Sequence, residues 1–585
     1  MGTCPGCDGT RLSDKIRSSN IGGLYRALLL SLMFLFTLMT AKAQDELPIV
    51  LSGDRTIIYI DRLPLRGDET LMDVLLMYPE QMVQGFDDLL ESYQLRMENV
   101  PVSLDIRQFF TSTPARACTK IQVCENPGVS KGTTGLGGII DLTMRRNDEG
   151  VHGLAGVEAA TSAEVYPMGK INYGHTDSAG HSTDLYANTG VSMSWPHNDF
   201  NIAQYTDIHL NQHFGRRDRL LTYLRQTYEH AAPLSPKQYY LARARYFHTF
   251  NDIGTELLLL AGYQYGNDKR LSKYNQLQKE SHTKTGTLLY LVELNTPLPF
   301  LGGLNLMAGW EMDRVRYRYQ LTQEMLASST PFEATDNYTV MNNDIYLQVD
   351  YTLGPVKLYL GDRISLYRYD MQAYNGDNTR NDSRNFFMAS IAAILAQGHQ
   401  LQAGYYRRFF NPNYLMALPT NYPLSDGITW SSPGTLADER KAEVARLAYM
   451  FSDKNVNASL STRYIRMIDD GSQTLQVDAA ASWIGRWLIL SGGANFSRNT
   501  TPDGEKTYGS VRLSPTFRLP QQWRIATQLI LYSPNAPYRK LKGTAAYGML
   551  AVEKRINDIL DLSLLWHDPF DGKNSALVFT AKILF

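Results

Sequence analysis

The stretch Leu475–Phe496, LQVDAAASWIGRWLILSGGANF, alternates apolar and polar residues on both sides of a short turn at Gly485-Arg486. Every second residue is apolar or glycine from 475 to 483, and again from 488 to 496. Because successive side chains of a β-strand point to opposite faces, each half has one apolar and one polar face. The stretch therefore predicts two neighbouring strands joined by a tight turn.

The same alternation continues through most of the chain from residue 150 to 585, in segments of about ten residues. We count 22 such segments in the sequence. This length suits tilted strands that cross a bilayer. Aromatic residues near segment ends, such as Tyr464, Trp483, Trp487 and Phe496, match an interfacial girdle. Since only a closed barrel satisfies all backbone groups of strands in lipid, we predict an all-β membrane protein with a 22-stranded antiparallel transmembrane barrel.

The lengths of the connections between segments support this count. If the first strand rises from the periplasm, even-numbered connections are periplasmic and odd-numbered connections are external. The short, even-numbered connections are 215–218, 251–252, 353–355, 398–399, 485–486 and 519–521. The long, odd-numbered connections are 267–282, 322–337, 371–384 and 411–440. Short turns on the inner side and long loops outside are typical of outer-membrane barrels.

The composition of the 585 residues gives no support for a nucleic-acid-binding protein or an enzyme. The 57 basic and 58 acidic residues give a net charge of −1, which provides no argument for a nucleic-acid partner. Tyrosine is the dominant aromatic residue, with 36 against 21 phenylalanines and 7 tryptophans, and tyrosine suits surfaces that are apolar on one side and wet on the other. The 11 histidines are scattered, and no catalytic triad or metal-ligand spacing is evident. We expect no enzymatic activity, no cofactor and no metal site.

The first 43 residues predict a cleaved signal peptide. Basic residues precede the uncharged run 27–39, and Ala41-Lys42-Ala43 provides a small-x-small cleavage site. The apolar run is too short for a membrane-spanning helix. The mature chain is then expected to begin at Gln44.

Cysteine use leaves one question open. Cys4 and Cys7 have a CxxC spacing but lie in the segment that cleavage removes. Cys118 and Cys124 remain in the mature chain. In an exported protein they either form one disulfide or remain reduced as two small buried residues.

Residues 44–149 predict a small mixed α/β domain. Strands are expected at 56–60, 93–98, 120–124 and 139–144, and a short amphipathic helix at 69–79 ends at a proline. Between the last two strands lies a glycine-rich segment with Gly132, Gly135, Gly137 and Gly138. A phosphate-binding loop would place its lysine after the glycines and continue into a helix. Here Lys131 precedes them and a strand follows, so a nucleotide site is excluded.

Three stretches of this domain resemble the plug domain of TonB-dependent outer-membrane receptors. They are LMDVLLMYP at 71–79, YQLRMENVPV at 93–102, and TPARACTKIQVCENPGVSKGTTGLGGIIDLTMRR at 113–146. In the barrel, YRRFFNP at 406–412 with SPGTLADE at 432–439 is similar to a signature of Bacteroidetes-type receptors. The resemblance is to a short form of the family, because the segment between Pro79 and Tyr93 is short and has no counterpart of the family's I-R-G strand. The chain also departs from the family at Pro79-Glu80, where the family has Pro-Gly.

The resemblance implies a plug at 44–149 in the lumen of a barrel at 150–585, with the four glycines in the last plug loop. It also implies import of a nutrient across the outer membrane, driven by the TonB–ExbB–ExbD complex. The ligand class (siderophore, vitamin, glycan or peptide) stays open. The alternative is a receptor-derived surface binding or structural protein without energised transport. A passive pore is disfavoured, because the plug would fill the lumen.

A candidate TonB box lies at 45–50, with Asp45, Glu46, Leu47, Ile49 and Val50 as its matching residues. Such a peptide binds TonB by adding a strand, although Pro48 lacks one of the backbone donors. The alternative is an unstructured leader.

Two further sets of residues complete the sequence-based hypotheses. Asn413, Tyr414, Tyr422 and Trp430, in the connection 411–440, are candidate ligand contacts, or else they pack over the plug. The final alternating segment ends in Phe585, which resembles the signal read by the β-barrel assembly machinery. Outer-membrane lipid is the remaining expected partner.

Overall fold

The computed structural model describes residues 47–584 apart from 53–54, 66–68, 78–92, 98–99, 102–109, 111–112, 114, 125–137, 146–149, 162, 196–199, 232–235, 275–276, 326–331, 374–375, 411–419, 424–428, 433–439, 503, 537–545, 558 and 571–574. The predicted signal peptide and Phe585 lie outside these residues. No helix within them has the length and apolar character needed to cross a bilayer.

Twenty-two strands of the described chain form a closed antiparallel barrel. They are β7 (Gly150–Ala160), β8 (Glu164–Thr176), β9 (Ser182–Ser194), β10 (Asn201–Phe214), β11 (Asp218–Ala231), β12 (Lys237–Thr249), β13 (Glu256–Tyr274), β14 (Leu277–Leu298), β15 (Leu304–Met325), β16 (Phe332–Leu353), β17 (Val356–Ala373), β18 (Gly376–Ala396), β19 (His399–Phe410), β22 (Arg440–Ser452), β23 (Val456–Met467), β24 (Gln473–Ile484), β25 (Leu488–Thr501), β26 (Gly504–Arg518), β27 (Trp523–Tyr532), β28 (Ala546–Ile556), β29 (Leu560–His567) and β30 (Ala576–Leu584). Each strand pairs with its sequence neighbours, and β30 closes the barrel on β7, with Val578 opposite Ala160 and Leu584 opposite Leu154. The predicted fold class and strand number are confirmed.

The barrel is apolar outside and polar inside, as the alternation predicts. In β23, Val456 and Leu460 are exposed, whereas Asn457 and Ser459 are buried. The expected girdle residues Tyr464, Trp483, Trp487 and Phe496 are also exposed on the outer surface. An outward apolar face on a closed sheet is the arrangement that lipid requires.

Six of the tight turns match the short connections of the sequence and lie at one end of the barrel, here called the short-turn end. The prediction of long loops at 267–282, 322–337 and 371–384 is wrong. These segments belong largely to strands β13–β18, which are 18 to 22 residues long and are paired almost to their tips. Where a strand extends beyond the lipid, its outward face need not be apolar. The sequence of a paired extension such as 278–284 is therefore polar throughout and resembles a loop.

The smaller domain, here called the plug, comprises in its described residues a six-stranded sheet and a short α-helix. Its strands are β1 (Ile49–Ser52), β2 (Arg55–Tyr59), β3 (Tyr93–Met97), β4 (Val100–Pro101), β5 (Cys118–Cys124) and β6 (Gly138–Met144), and its helix is α1 (Leu71–Met77). The sheet order is β1-β2-β5-β6-β3-β4, with only β3 and β6 parallel. The expected strands and helix of residues 56–144 are present.

The plug packs against the inner wall of the barrel. Its apolar core, which includes Ile58, Leu71 and Ile121, is continuous with Tyr223 and Leu241 of the wall. The plug therefore occupies the lumen, where burying its apolar surface holds the two domains together.

Cys118 and Cys124 are both buried and form no disulfide. They lie at the two ends of one strand, β5, and an extended strand of that length holds their Cα atoms too far apart for an S–S bond. Of the two alternatives left by the sequence, the structure selects the pair of small buried residues.

Candidate functional site

A cavity of about 1090 Å³ lies between the plug and the inner wall. The plug contributes Thr70, Met72 and Asp73, at the start of α1, and the wall contributes strands β7–β14 and β27–β30. The lining continues from Arg524, beside the short-turn end, to Lys237, near the opposite end. The cavity thus follows the wall along much of its height, with α1 at its base.

Buried ion pairs join the plug to the wall at the base of this cavity. Asp73 accepts hydrogen bonds from the guanidinium of Arg524, which also contacts Glu553 at 3.2 Å. Glu69, just before α1, pairs with Arg518 at 2.8 Å, and both side chains are almost fully buried. Removing one partner of such a buried pair costs more than breaking an exposed one.

Asp73 also caps the helix. Thr70 donates its backbone N–H to Asp73 Oδ2 at 2.8 Å, and Asp73 donates its N–H back to Thr70 Oγ1 at 3.3 Å. This reciprocal T-x-x-D arrangement is a capping box. Asp73, in the first turn of α1, therefore both caps the helix and binds it to the wall.

The upper part of the cavity, meaning the part farther from the short-turn end, is rich in tyrosine. Tyr166 and Tyr205 stack with ring centroids 6.2 Å apart and an interplanar angle of 25°. A Cβ at Gly190 would overlap both rings, so glycine at this strand position makes room for the stack. Lys237 and Glu229 form an ion pair at 3.1 Å nearby. The upper wall thus presents aromatic faces and compensated charges.

A second charged cluster lies where the plug sheet faces wall strands β12, β15 and β17. Desolvation lowers the pKa of the plug residue Arg96 to about 10, and the nearby carboxylate of Asp141 opposes that shift. Arg245 and Glu311 of the wall are close to the same guanidinium. Arg363 of the wall binds the carboxylate of Glu311 at 2.8 Å and also forms an ion pair with Asp344. This cluster joins plug and barrel without opening into the cavity described above.

The described part of the candidate TonB box is buried. Leu47, Ile49 and Val50 have little exposed surface, and β1 forms a hairpin with β2. On its other edge, Gln400 of the wall donates to the Ile49 carbonyl at 2.9 Å and accepts from the Leu51 N–H at 2.7 Å. Asp45 and Glu46 lie outside the described residues. The strand edge that a partner would use is thus occupied by a barrel side chain.

The remaining sequence-based candidates are only partly described. Gly138 is buried and opens β6, while Gly132, Gly135 and Gly137 lie outside the described residues, as do Asn413 and Tyr414. Tyr422 and Trp430 are register partners in a two-stranded hairpin, β20 (Thr420–Pro423) with β21 (Thr429–Ser432). These roles stay predictions.

Sequence reasoning missed the wall residues that contact the plug. Arg518, Arg524 and Gln400 are polar residues on strands, which alternation assigns to the inner face without distinguishing them from other lumen residues. Only their partners on the plug give them a role. Among the described residues, no group of three or more His, Cys, Asp or Glu side chains is placed to hold a metal ion.

No family model matches the chain, and no curated protein matches it in sequence. Solved structures do match its fold. The unliganded ferric citrate transporter FecA superposes with a TM-score of 0.68 at 13% identity, covering 94% of this chain and 99% of that one. The closed form of Fiu, a ferric-catecholate import receptor from E. coli K12, gives 0.64 at 12%, covering 92% and 97%.

The ferric yersiniabactin uptake receptor FyuA from Yersinia pestis gives a TM-score of 0.64 at 13% identity, covering 91% of this chain and 98% of that one. The chain therefore has the plug-and-barrel fold of TonB-dependent receptors, as the resemblance predicted. Its placement in a Bacteroidetes-type subgroup stays a prediction.

Proposed function

We propose that this protein is a TonB-dependent outer-membrane receptor that imports a nutrient. The observation that supports this most is a plug held in the barrel by buried ion pairs beside a cavity that follows the wall. A plug of this kind suits regulated passage, because a passive pore needs no closure. The structures of similar fold over more than nine-tenths of the chain are named as transporters or uptake receptors.

The apolar exterior of the barrel supports an outer-membrane location with lipid as a partner. Assembly would use the β-barrel assembly machinery, and energy would come from TonB with ExbB and ExbD. We propose no enzymatic role, since the residues that line the cavity suggest binding and passage. The cleaved signal peptide at 1–43 is part of this proposal.

Coupling to TonB would require β1 to leave its place. The Leu47–Val50 segment is buried between β2 and Gln400, so TonB would bind it only after that edge is released. The same burial favours the alternative function, a receptor-derived surface binding or structural protein that no longer uses TonB.

Binding of the purified full-length protein to the periplasmic domain of TonB tests the proposal. We expect micromolar binding that Leu47→Pro abolishes and Leu47→Ile preserves, because proline removes a backbone donor from the pairing edge. Heat-modifiable electrophoretic mobility would confirm that both variants form the barrel. If a folded wild-type protein fails to bind TonB with its ligand absent and with it present, the surface-protein alternative replaces the transporter.

A further inference from the structure

We infer that the cavity beside α1 takes an uncharged, hydroxyl-rich ligand of the saccharide class rather than an anionic ferric chelate. The inference rests on the proposed receptor function and specifies its substrate. It differs from the ligands named for the structures of similar fold, which are ferric citrate, ferric catecholates and ferric yersiniabactin.

The balance of charge in the cavity argues against an anionic ligand. Among its described lining residues, seven carboxylates stand against six cationic side chains. A cavity that captures an anion needs an excess of positive potential, which focuses the ligand and repays its desolvation. Here the described lining has one more negative than positive side chain.

Partners within the protein already compensate most of these charges. At the base, Arg524 is paired with Asp73 and with Glu553, and Arg555 binds Asp561 through two hydrogen bonds of 2.7 and 3.0 Å.

Lys582 adjoins Glu553, Glu158 and Asp561. At the upper end, Lys237 binds both carboxylate oxygens of Glu229 at 3.1 Å. A charged ligand that bound one of these groups would compete with its partner in the protein and leave that partner uncompensated, which is costly.

The other lining groups suit a polyhydroxylated ligand. Tyr166, Tyr205, Tyr239 and Tyr547 face the cavity, and tyrosine offers an apolar ring with a hydroxyl at its edge. Inward-facing hydroxyls of neighbouring strands include Ser192, Thr227, Thr283, Thr285 and Ser563. A sugar ring has C–H faces that pack on aromatic rings and hydroxyls that exchange hydrogen bonds with side-chain hydroxyls. Aromatic platforms with uncharged donors and acceptors around them match that chemistry.

Equilibrium binding to the full-length protein in detergent tests the ligand class. The probes are a panel of neutral oligosaccharides of glucose, xylose, mannose and N-acetylglucosamine, with ferric citrate and triglutamate as charged probes. We expect at least one neutral oligosaccharide to bind with a Kd that changes less than about twofold between about 0.05 and 0.5 M NaCl, because it has no formal charge to screen. Neither charged probe should bind.

Substitutions locate the binding in the cavity. Tyr205→Ala should weaken the neutral ligand by about tenfold through loss of the ring face, and Tyr205→Phe should restore most of the affinity. Tyr240→Ala is the matched control, because Tyr240 is exposed on the outer surface of the barrel. Equal effects of Tyr205→Ala and Tyr240→Ala would overturn the assignment to this cavity.

Binding of ferric citrate or triglutamate, or binding by no oligosaccharide of the panel, would overturn the ligand class. These outcomes do not depend on TonB. Saccharide binding without TonB binding would keep the inference and reject energised transport, whereas TonB binding with capture of a ferric chelate would do the reverse.

Discussion

Asp73 shows how much a single residue contributes in this molecule. Its carboxylate caps α1 through Thr70 and also receives the guanidinium of Arg524, so helix formation and docking of the plug depend on one side chain. Asp61 offers a contrast within the same domain. It forms an ion pair with Arg145, but about half of each side chain is exposed, so water screens the pair.

We expect Asp73→Asn to loosen the plug and Asp61→Asn to have little effect. Loss of the buried carboxylate leaves Arg524 with Glu553 as its remaining partner and costs about 1–3 kcal/mol, against about 0–1 kcal/mol for the exposed pair. Hydrogen exchange measures the difference, with faster exchange of the α1 amides in Asp73→Asn only. Equal protection of α1 in both variants would contradict the role assigned to the pair.

Gly190 provides a second prediction at this scale. Gly190→Ala places a methyl group into the rings of Tyr166 and Tyr205, and forced overpacking costs about 1–3 kcal/mol. Gly169→Ala is the control, because its added Cβ would have its nearest neighbour, Thr189 Cγ2, at 3.8 Å. Thermal unfolding, followed by loss of heat-modifiable mobility, should shift down for Gly190→Ala alone. An unchanged midpoint would show that the stacked rings relax without cost.

Among the elements, β1 has the most unusual surroundings. One edge pairs with β2, and the other meets the side-chain amide of Gln400, which imitates a neighbouring strand by donating to Ile49 and accepting from Leu51. Edge strands are prone to pair with other chains, and covering the edge prevents this. The barrel therefore protects the strand that the proposed function requires TonB to reach.

We expect Gln400→Leu to increase the affinity of the full-length protein for the periplasmic domain of TonB. Two hydrogen bonds are lost, together about 2 kcal/mol, which allows up to about a thirtyfold gain. Gln402→Leu is the control on the same strand, since Gln402 accepts a hydrogen bond from Arg446, another wall residue, at 3.2 Å. A gain shared by both variants would point to general loosening of the wall, and no gain in either would reject the role of Gln400.

At the scale of the whole molecule, closure by β30 and β7 decides whether the barrel exists. These strands are more than 400 residues apart in sequence, yet they pair through seven residues in register. Without that pairing the sheet has two open edges, which lipid does not tolerate. The β20–β21 hairpin does not contribute to barrel closure, because β19 and β22, on either side of it in sequence, pair directly with each other.

Deletion of residues 576–585 should abolish the heat-resistant compact form in electrophoresis and recovery of the protein in the outer-membrane fraction. Deletion of residues 420–432 should preserve both, because it leaves every barrel ladder intact. A compact, membrane-inserted product of the first deletion would show that the barrel closes without β30.

Periodicity alone made the barrel predictable. Alternation at period two depends only on which face meets lipid, and in the bilayer belt that face must be apolar, so strands such as β23 to β25 and the total of 22 were evident. The long hairpins of β13 to β18 were not. Above the lipid both faces meet water, and residues 278–284 therefore have no alternation to recognise.

What the sequence by itself determined is the architecture: a barrel of 22 strands with the main elements of a plug before it. Each follows from local patterns, namely alternation, turn residues and a short amphipathic helix. Only the tertiary structure decided which lumen residues matter. Asp73 meets Arg524 across 451 positions, and Gln400 covers β1 across about 350. Such pairings arise from barrel closure around the plug, and no local pattern encodes them, because any inward-facing polar residue satisfies the alternation equally well.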